Sequence, residues 1–153
     1  MCDIPGGTGR HAAALAELGH RVVLLDFAEP AVRQAVRKSR SIMGVVAEMG
    51  ALPLREEAFD AVVVTNFLDR ALIPAFIGLL KRGGRLLYET YTTEHVMLVA
   101  AGLARGPHSV SYLLQPGELR TLISALTIVE YREGEIVDEA GRRVCASVHA
   151  VRP

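Results

Sequence analysis

The sequence predicts an α/β fold: a mostly parallel seven-stranded sheet with helices on both faces, a short first strand and an antiparallel C-terminal hairpin. Three observations carry this. Strand-like and helix-like segments alternate from the first residue. The run "RVVLLD" (residues 21–26) is apolar on successive positions, the mark of a strand covered on both faces. The tail instead alternates, with Val144, Ala146, Val148 and Ala150 sharing one face, as expected of an antiparallel strand with one covered side.

Each element then has its own local reason. Residues 1–4 form the short first strand. "TGRHAAALAELG" (8–19) places Ala12, Leu15, Ala16 and Leu18 on one helical face, and Gly19 supplies a stop. The strand at 21–26 follows. A second helix starts near Pro30, tolerated in a first turn, and extends to about Arg40. "GVVAEM" (44–49) reads as the third strand and "FDAVVVTNF" (59–67) contains the fourth. "ALIPAFIGLLKR" (71–82) reads as a helix ended by Gly83-Gly84. "RLLYETY" (85–91) is the fifth strand, residues 92–115 an insertion with a small apolar helix, and "PGELRTLISAL" (116–126) a further helix. "TIVEY" (127–131) and "RVCASVHAV" (143–151) pair as the closing hairpin, with turn signals at Gly134 and Gly141.

Composition narrows the function classes. A chain of 153 residues, half of them hydrophobic and 22% charged, is one ordered domain. Seventeen basic residues balance seventeen acidic ones, without the surplus a nucleic-acid binder usually shows. "RQAVRKSR" (33–40) is read as a solvated helical face. Cys2 and Cys145 lie in apolar runs with no CxxC spacing, so they read as buried free thiols and no metal is expected. The apolar stretch at residues 96–104 falls far short of the roughly 20 residues of a membrane span. No signal-peptide pattern is present, so the expectation is a cytoplasmic protein without membrane or nucleic-acid partners.

The chemistry concentrates at the first loop, "DIPGGTG" (3–9). Gly7 and Gly9 let the backbone turn sharply and a ligand approach closely, and the following helix presents unpaired amides. Asp26, at the end of the second strand, can accept hydrogen bonds from both hydroxyls of a ribose. Residues 7–12 also satisfy G-x-G-x-x-G/A, so a nicotinamide dinucleotide remains open at this point. Glu48 and Met49 are placed to border an adenine, one near its amino group and one on its face.

Taken together, five features in order resemble the class I S-adenosyl-L-methionine-dependent methyltransferases. They are the loop at 3–9, Asp26, Glu48-Met49 with the following Leu52-Pro53-Leu54, Phe59-Asp60 and the Arg82-Gly83-Gly84 turn. The stretches "NFLDRALIPAFIGLLKRGGRLLYETYT" and "LLQPGEL" resemble the tellurite-resistance-type group within that class. The resemblance implies a Rossmann-like fold and S-adenosyl-L-methionine as cofactor, held by Asp3, Pro5, Gly6, Gly7, Thr8, Gly9, Asp26, Phe27, Glu48, Met49, Thr65, Asn66 and Phe67. It implies methyl transfer to a small-molecule nucleophile, with Asp69, Glu89 and Tyr91 on the acceptor side and no residue assigned as the base. A non-catalytic cofactor-binding subunit and a nicotinamide-dependent oxidoreductase are the alternatives. A homo-oligomer is also open.

Three residues depart from the family pattern. Pro5 stands in place of the first glycine, Glu48 in place of an aspartate and Asp69 in place of a histidine. His11 is placed to approach the cofactor's carboxylate, His95 and His108 to lie over the pocket, and His20 and His149 at the surface or on an edge strand. The apolar helix within residues 96–104 is expected to be buried. Family members carry helices ahead of the first strand, whereas this sequence opens on the strand. An upstream start is therefore expected, with residues 92–115 or a partner subunit as alternative cover.

Overall fold

The computed structural model describes residues 1–107, 109–138 and 141–153. Its strands are β1 (Cys2–Asp3), β2 (Val22–Asp26), β3 (Ile42–Val46), β4 (Phe59–Thr65), β5 (Leu80–Tyr91), β6 (Thr127–Asp138) and β7 (Gly141–Val151). They form one seven-stranded sheet in the order β3-β2-β1-β4-β5-β7-β6. The five strands from β3 to β5 are parallel, and β7 runs antiparallel between β5 and β6. Among the described residues the α-helices are α1 (Arg10–Glu17), α2 (Glu29–Val36), α3 (Ile73–Gly78), α4 (His95–Ala100) and α5 (Glu118–Leu122).

Strand alternation divides the core in two. Val22 and Leu24 of β2 pack with Ala12, Val32, Ala35 and Ile42 under α1 and α2. On the opposite face, Cys2, Val62, Val64, Leu86, Tyr88, Ala146 and Val148 pack with Ile73 and Phe76 of α3 and with Leu119 of α5. Phe76 is fully buried and meets Phe67 edge to face, centroids 6.2 Å apart. Tyr88, also buried, donates its hydroxyl to the Phe67 carbonyl at 2.8 Å. The α1/α2 face continues past β1 over β4, β5, β7 and β6, where a cavity of about 310 Å³ is bordered by Val63, Leu87, Glu130 and His149.

Several boundaries differ from the sequence expectation. The third strand starts and ends earlier, at Val46, so Glu48 and Met49 lie in the loop beyond it. The second helix stops at Val36, because Gly44 must pack against Val32 and Val36, which draws the chain into β3. The expected helix at 71–82 is shorter: a 3-10 turn at Arg70–Leu72 leads into α3, and Leu80 already pairs with Phe59. Gly83 and Gly84 therefore sit within β5, where their backbones bond Arg152. The helix expected at 116–126 is only α5. Gly134 is not a turn: it faces Cys145 in the ladder, and the two strands connect beyond Asp138. The apolar helix of the insertion is only half covered, with Met97 and Leu103 exposed.

Backbone hydrogen bonds close the insertion at its base, linking Thr92 to Val144 and both Thr93 and Tyr91 to Leu114. Arg70 braces its far side. The guanidinium donates to both carboxylate oxygens of Glu118 at 2.5 and 2.9 Å and to the carbonyls of Ser111 and Leu113.

Replacing Phe76 by Ala removes the ring at the centre of the larger core. The expected cost is about 3–5 kcal/mol, to be measured by urea unfolding; a loss below about 1 kcal/mol would show that the α3 contact is not central.

Candidate functional site

The C-terminal ends of β3, β2, β1, β4 and β5 lie side by side, with the chain reversing direction across the sheet between β1 and β4. Ligands of open α/β sheets bind at such a switch point. Most of the residues singled out above lie on this edge: the loop after β1, Asp26 and Phe27 after β2, Glu48 and Met49 after β3, Thr65 to Phe67 after β4, and Glu89 and Tyr91 on β5.

Asp26 organises the edge. Only 6% exposed, its carboxylate accepts the Gly7 N–H on one oxygen at 2.8 Å and the Ala28 N–H on the other at 2.9 Å. Its own carbonyl accepts the Ala47 N–H at 3.1 Å, which anchors the start of the Glu48-Met49 loop. Phe27, immediately after it, is 64% exposed.

The glycine loop has two different jobs. Gly9 has φ 77°, and a Cβ there would lie 2.6 Å from the Ala35 Cβ, so its smallness lets α1 approach α2. Gly7 has φ 50° and faces open space, with nothing within 4 Å of a Cβ position. That opening is where a ligand can meet the backbone. The Ile4–Pro5 peptide preceding it is cis. Thr8 is exposed at the loop's tip.

Asp3 lies fully buried beneath this loop. One carboxylate oxygen accepts the Ala12 N–H at 3.0 Å, capping the first turn of α1 from a distance. The other, Oδ1, has no hydrogen-bond partner among the described residues. Burial pushes its pKa up to about 6, against partial relief from the Ala12 N–H and Arg10, while Asp26 raises it further. A buried carboxylate with a free oxygen calls for a cation or a donor supplied from outside. The ammonium of an S-adenosyl-L-methionine molecule would meet that need. Asp3, Gly7, Asp26 and Phe27 thus fit this cofactor.

The β4 and β5 ends complete the edge. Asn66 adopts φ 54°, and its N–H donates to the Glu89 carbonyl at 2.9 Å. Phe67 is half-buried against Phe76. Asp69 is exposed, and its Oδ1 accepts the Ala71 N–H at 3.0 Å, so it caps the 3-10 turn. Glu89 is half-buried with the Arg143 guanidinium 3.6 Å away. Burial raises the Tyr91 hydroxyl's pKa, keeping it protonated. His11 bonds Arg10 at 3.1 Å, and burial, then Arg10, lowers its pKa.

His95 departs from its expected place over the pocket. It is fully buried, and its ring lies against Tyr91 with centroids 4.5 Å apart. His108 lies outside the described residues. Sequence reading missed Arg70 and Arg105, because neither belongs to a recognisable motif; only the paired Glu118 gives Arg70 away. Both cysteines are buried, and their thiols are pushed up to about 12 chiefly by that burial.

A family model described as a methyltransferase domain matches residues 1–84, more than half of the 153 residues. The chain belongs to this family, within the class I S-adenosyl-L-methionine-dependent methyltransferases. It is 32% identical over 110 residues to a demethylmenaquinone methyltransferase from Clavibacter sepedonicus, covering 67% of this chain and 45% of that protein. It is 36% identical over 110 residues to a 23S rRNA guanine methyltransferase from Streptomyces fradiae, covering 69% and 39%. The chain thus spans less than half the length of these two curated relatives. The structure of TehB from Haemophilus influenzae superposes with a TM-score of 0.73 at 23% identity, over 99% of this chain and 57% of that one, and so shares the fold.

The folded chain holds the Asp3 proton more tightly than the unfolded chain, whose value is near 3.8. Ionisation therefore costs stability, and the deficit grows as pH rises from about 4 to about 6. Asp3→Asn should be more stable than wild type at pH 7.5 by about 2–3 kcal/mol, with the gain vanishing near pH 4. Urea unfolding across that range would show a pH-independent difference if Asp3 were not the cause.

Proposed function

We propose that this chain forms the catalytic domain of an S-adenosyl-L-methionine-dependent methyltransferase acting on a small-molecule nucleophile. The observation that carries the reading is the joint arrangement of Asp26, Gly7 and the unpartnered buried oxygen of Asp3. Asp26 and Glu48 would hold the adenosine moiety, Phe27 and Met49 its base, and Asp3 with residues 5–9 the methionine end. Thr65, Asn66 and Phe67 would complete the cofactor site on its side towards the acceptor.

When bound, the cofactor supplies a methyl group on a sulfonium, already activated for displacement. The protein's part is to position a nucleophile in line with that carbon and to exclude water. Glu89 and Tyr91 are better disposed for the acceptor than Asp69, which already caps its own turn. Glu89 would accept a proton where the nucleophile carries one, and Tyr91 would form a wall of the pocket.

Balanced charge supports a small acceptor over RNA, although one relative is an rRNA methyltransferase. The demethylmenaquinone methyltransferases among the relatives support the same choice. No helix among the described residues is long and apolar enough to cross a membrane.

Calorimetry with S-adenosylhomocysteine, with NADH as control, tests the assignment. Binding of the first alone is expected, and binding of NADH alone would replace the reading with an oxidoreductase. Asp26→Ala should lose about 1.5–3 kcal/mol of S-adenosylhomocysteine affinity, roughly 10- to 150-fold. Unchanged affinity would remove Asp26 from the site. Cofactor binding without turnover across a broad acceptor panel would favour a non-catalytic subunit.

A further inference from the structure

A second cavity, also of about 310 Å³, lies where the end of β5, the insertion and the start of β7 meet. Tyr91, Leu103, Ala104, Arg105, Arg142 and Arg143 line it. Two of its three guanidiniums are already paired: Arg142 with Glu135, and Arg143 with Asp138 at 2.8 Å and more distantly with Glu89 at 3.6 Å. Arg105 is exposed and has no carboxylate partner among the described residues.

Most exposed arginines are simply solvated. This one is carried by a backbone that a single buried imidazole pins in place. His95 Nε2 lies 3.3 Å from the Arg105 carbonyl, and Nδ1 accepts the Val144 N–H at 3.2 Å. That pattern fits the neutral tautomer with its proton on Nε2, the donor to Arg105. The loop rests so closely on the ring that a Cβ at Gly106 would lie 2.4 Å from Nε2. The ring also packs against Tyr91. One side chain therefore fixes all three walls of the cavity relative to one another: β5 through Tyr91, the loop through Arg105 and β7 through Val144.

We propose that this cavity is an acceptor subsite for an anionic group, a carboxylate or a phosphate, with Arg105 as its charged ligand and His95 as its positioning residue. The link to methyl transfer rests on the function proposed above, whereas anion binding itself does not. A planar guanidinium offers a carboxylate or phosphate two parallel hydrogen bonds. Arg143 adds positive charge at the wall, and the protonated Tyr91 hydroxyl adds a neutral donor. Tyr91 lies two residues beyond Glu89 on β5 and so joins the cavity to the proposed transfer site. The volume, at the small end of ligand pockets, suits a compact molecule with its nucleophile a few bonds from the anion.

Matched acid and amide probes test this directly: 4-hydroxybenzoate against 4-hydroxybenzamide, and 3-mercaptopropionate against its amide, titrated by calorimetry with and without saturating S-adenosylhomocysteine. Each acid should bind about tenfold or more tightly than its amide, as a charged hydrogen-bond pair requires. Arg105→Gln should abolish the preference and leave S-adenosylhomocysteine affinity unchanged. His95→Ala should weaken it, with partial rescue in His95→Asn, which keeps an acceptor for the Val144 N–H. Inorganic phosphate displacing the acids would show that both anions share the subsite; phosphate binding alone, lost in Arg105→Gln, would assign it to phosphate. Equal binding of acid and amide with no phosphate binding, or a preference that survives Arg105→Gln, would overturn the proposal. Loss of S-adenosylhomocysteine binding with the acid preference intact would instead overturn the methyltransferase reading and leave this subsite standing.

Discussion

The carboxylate of Asp26 holds the functional edge together. β1 is two residues long, too short to fix the loop that follows it by strand pairing alone. Asp26 supplies the missing constraint by accepting backbone N–H groups from Gly7 on one side and Ala28 on the other. Both bonds are charge-assisted and largely shielded from water, where such bonds are strongest. The conformation of the glycine loop, the start of α2 and the exposure of Phe27 all follow from that one side chain. The Ala47 N–H on its carbonyl extends the same control to the loop after β3.

Asp3 shows the other side of the same arrangement. It caps α1 with one oxygen, while the second oxygen is buried without a partner. Cores rarely retain such an atom, because desolvating a carboxylate without compensation is costly. Ionising a carboxylate in that position therefore costs the folded chain stability.

Much of the architecture was legible from residue order. The continuous apolar run at 21–26 and the alternation at 144–150 separate the parallel and antiparallel parts of the sheet, since burial on two faces and on one face leaves different patterns. The glycine loop and Asp26 were legible because close approach and a strand-end acid have few substitutes. Element ends were less so. The second helix stops at Val36 because Gly44 must approach Val32 and Val36, a contact between residues that no local pattern encodes. Gly83-Gly84 resembles a helix stop but lies in β5, since Leu80 pairs with Phe59.

What the sequence determined by itself was therefore the order of strands and helices, the glycine loop and the acids at the strand ends, because these depend on local conformation and on hydrophobic periodicity. Only the tertiary structure decided what those acids do. It gave both Asp26 oxygens to the backbone, left one Asp3 oxygen unpartnered and made Asp69 a turn cap. It also turned His95 from a pocket residue into a buried brace between Val144 and Arg105, groups 39 residues apart in the chain. Hydrogen bonds between distant segments are set by how the sheet brings them together, and that information is absent from any single stretch of residues.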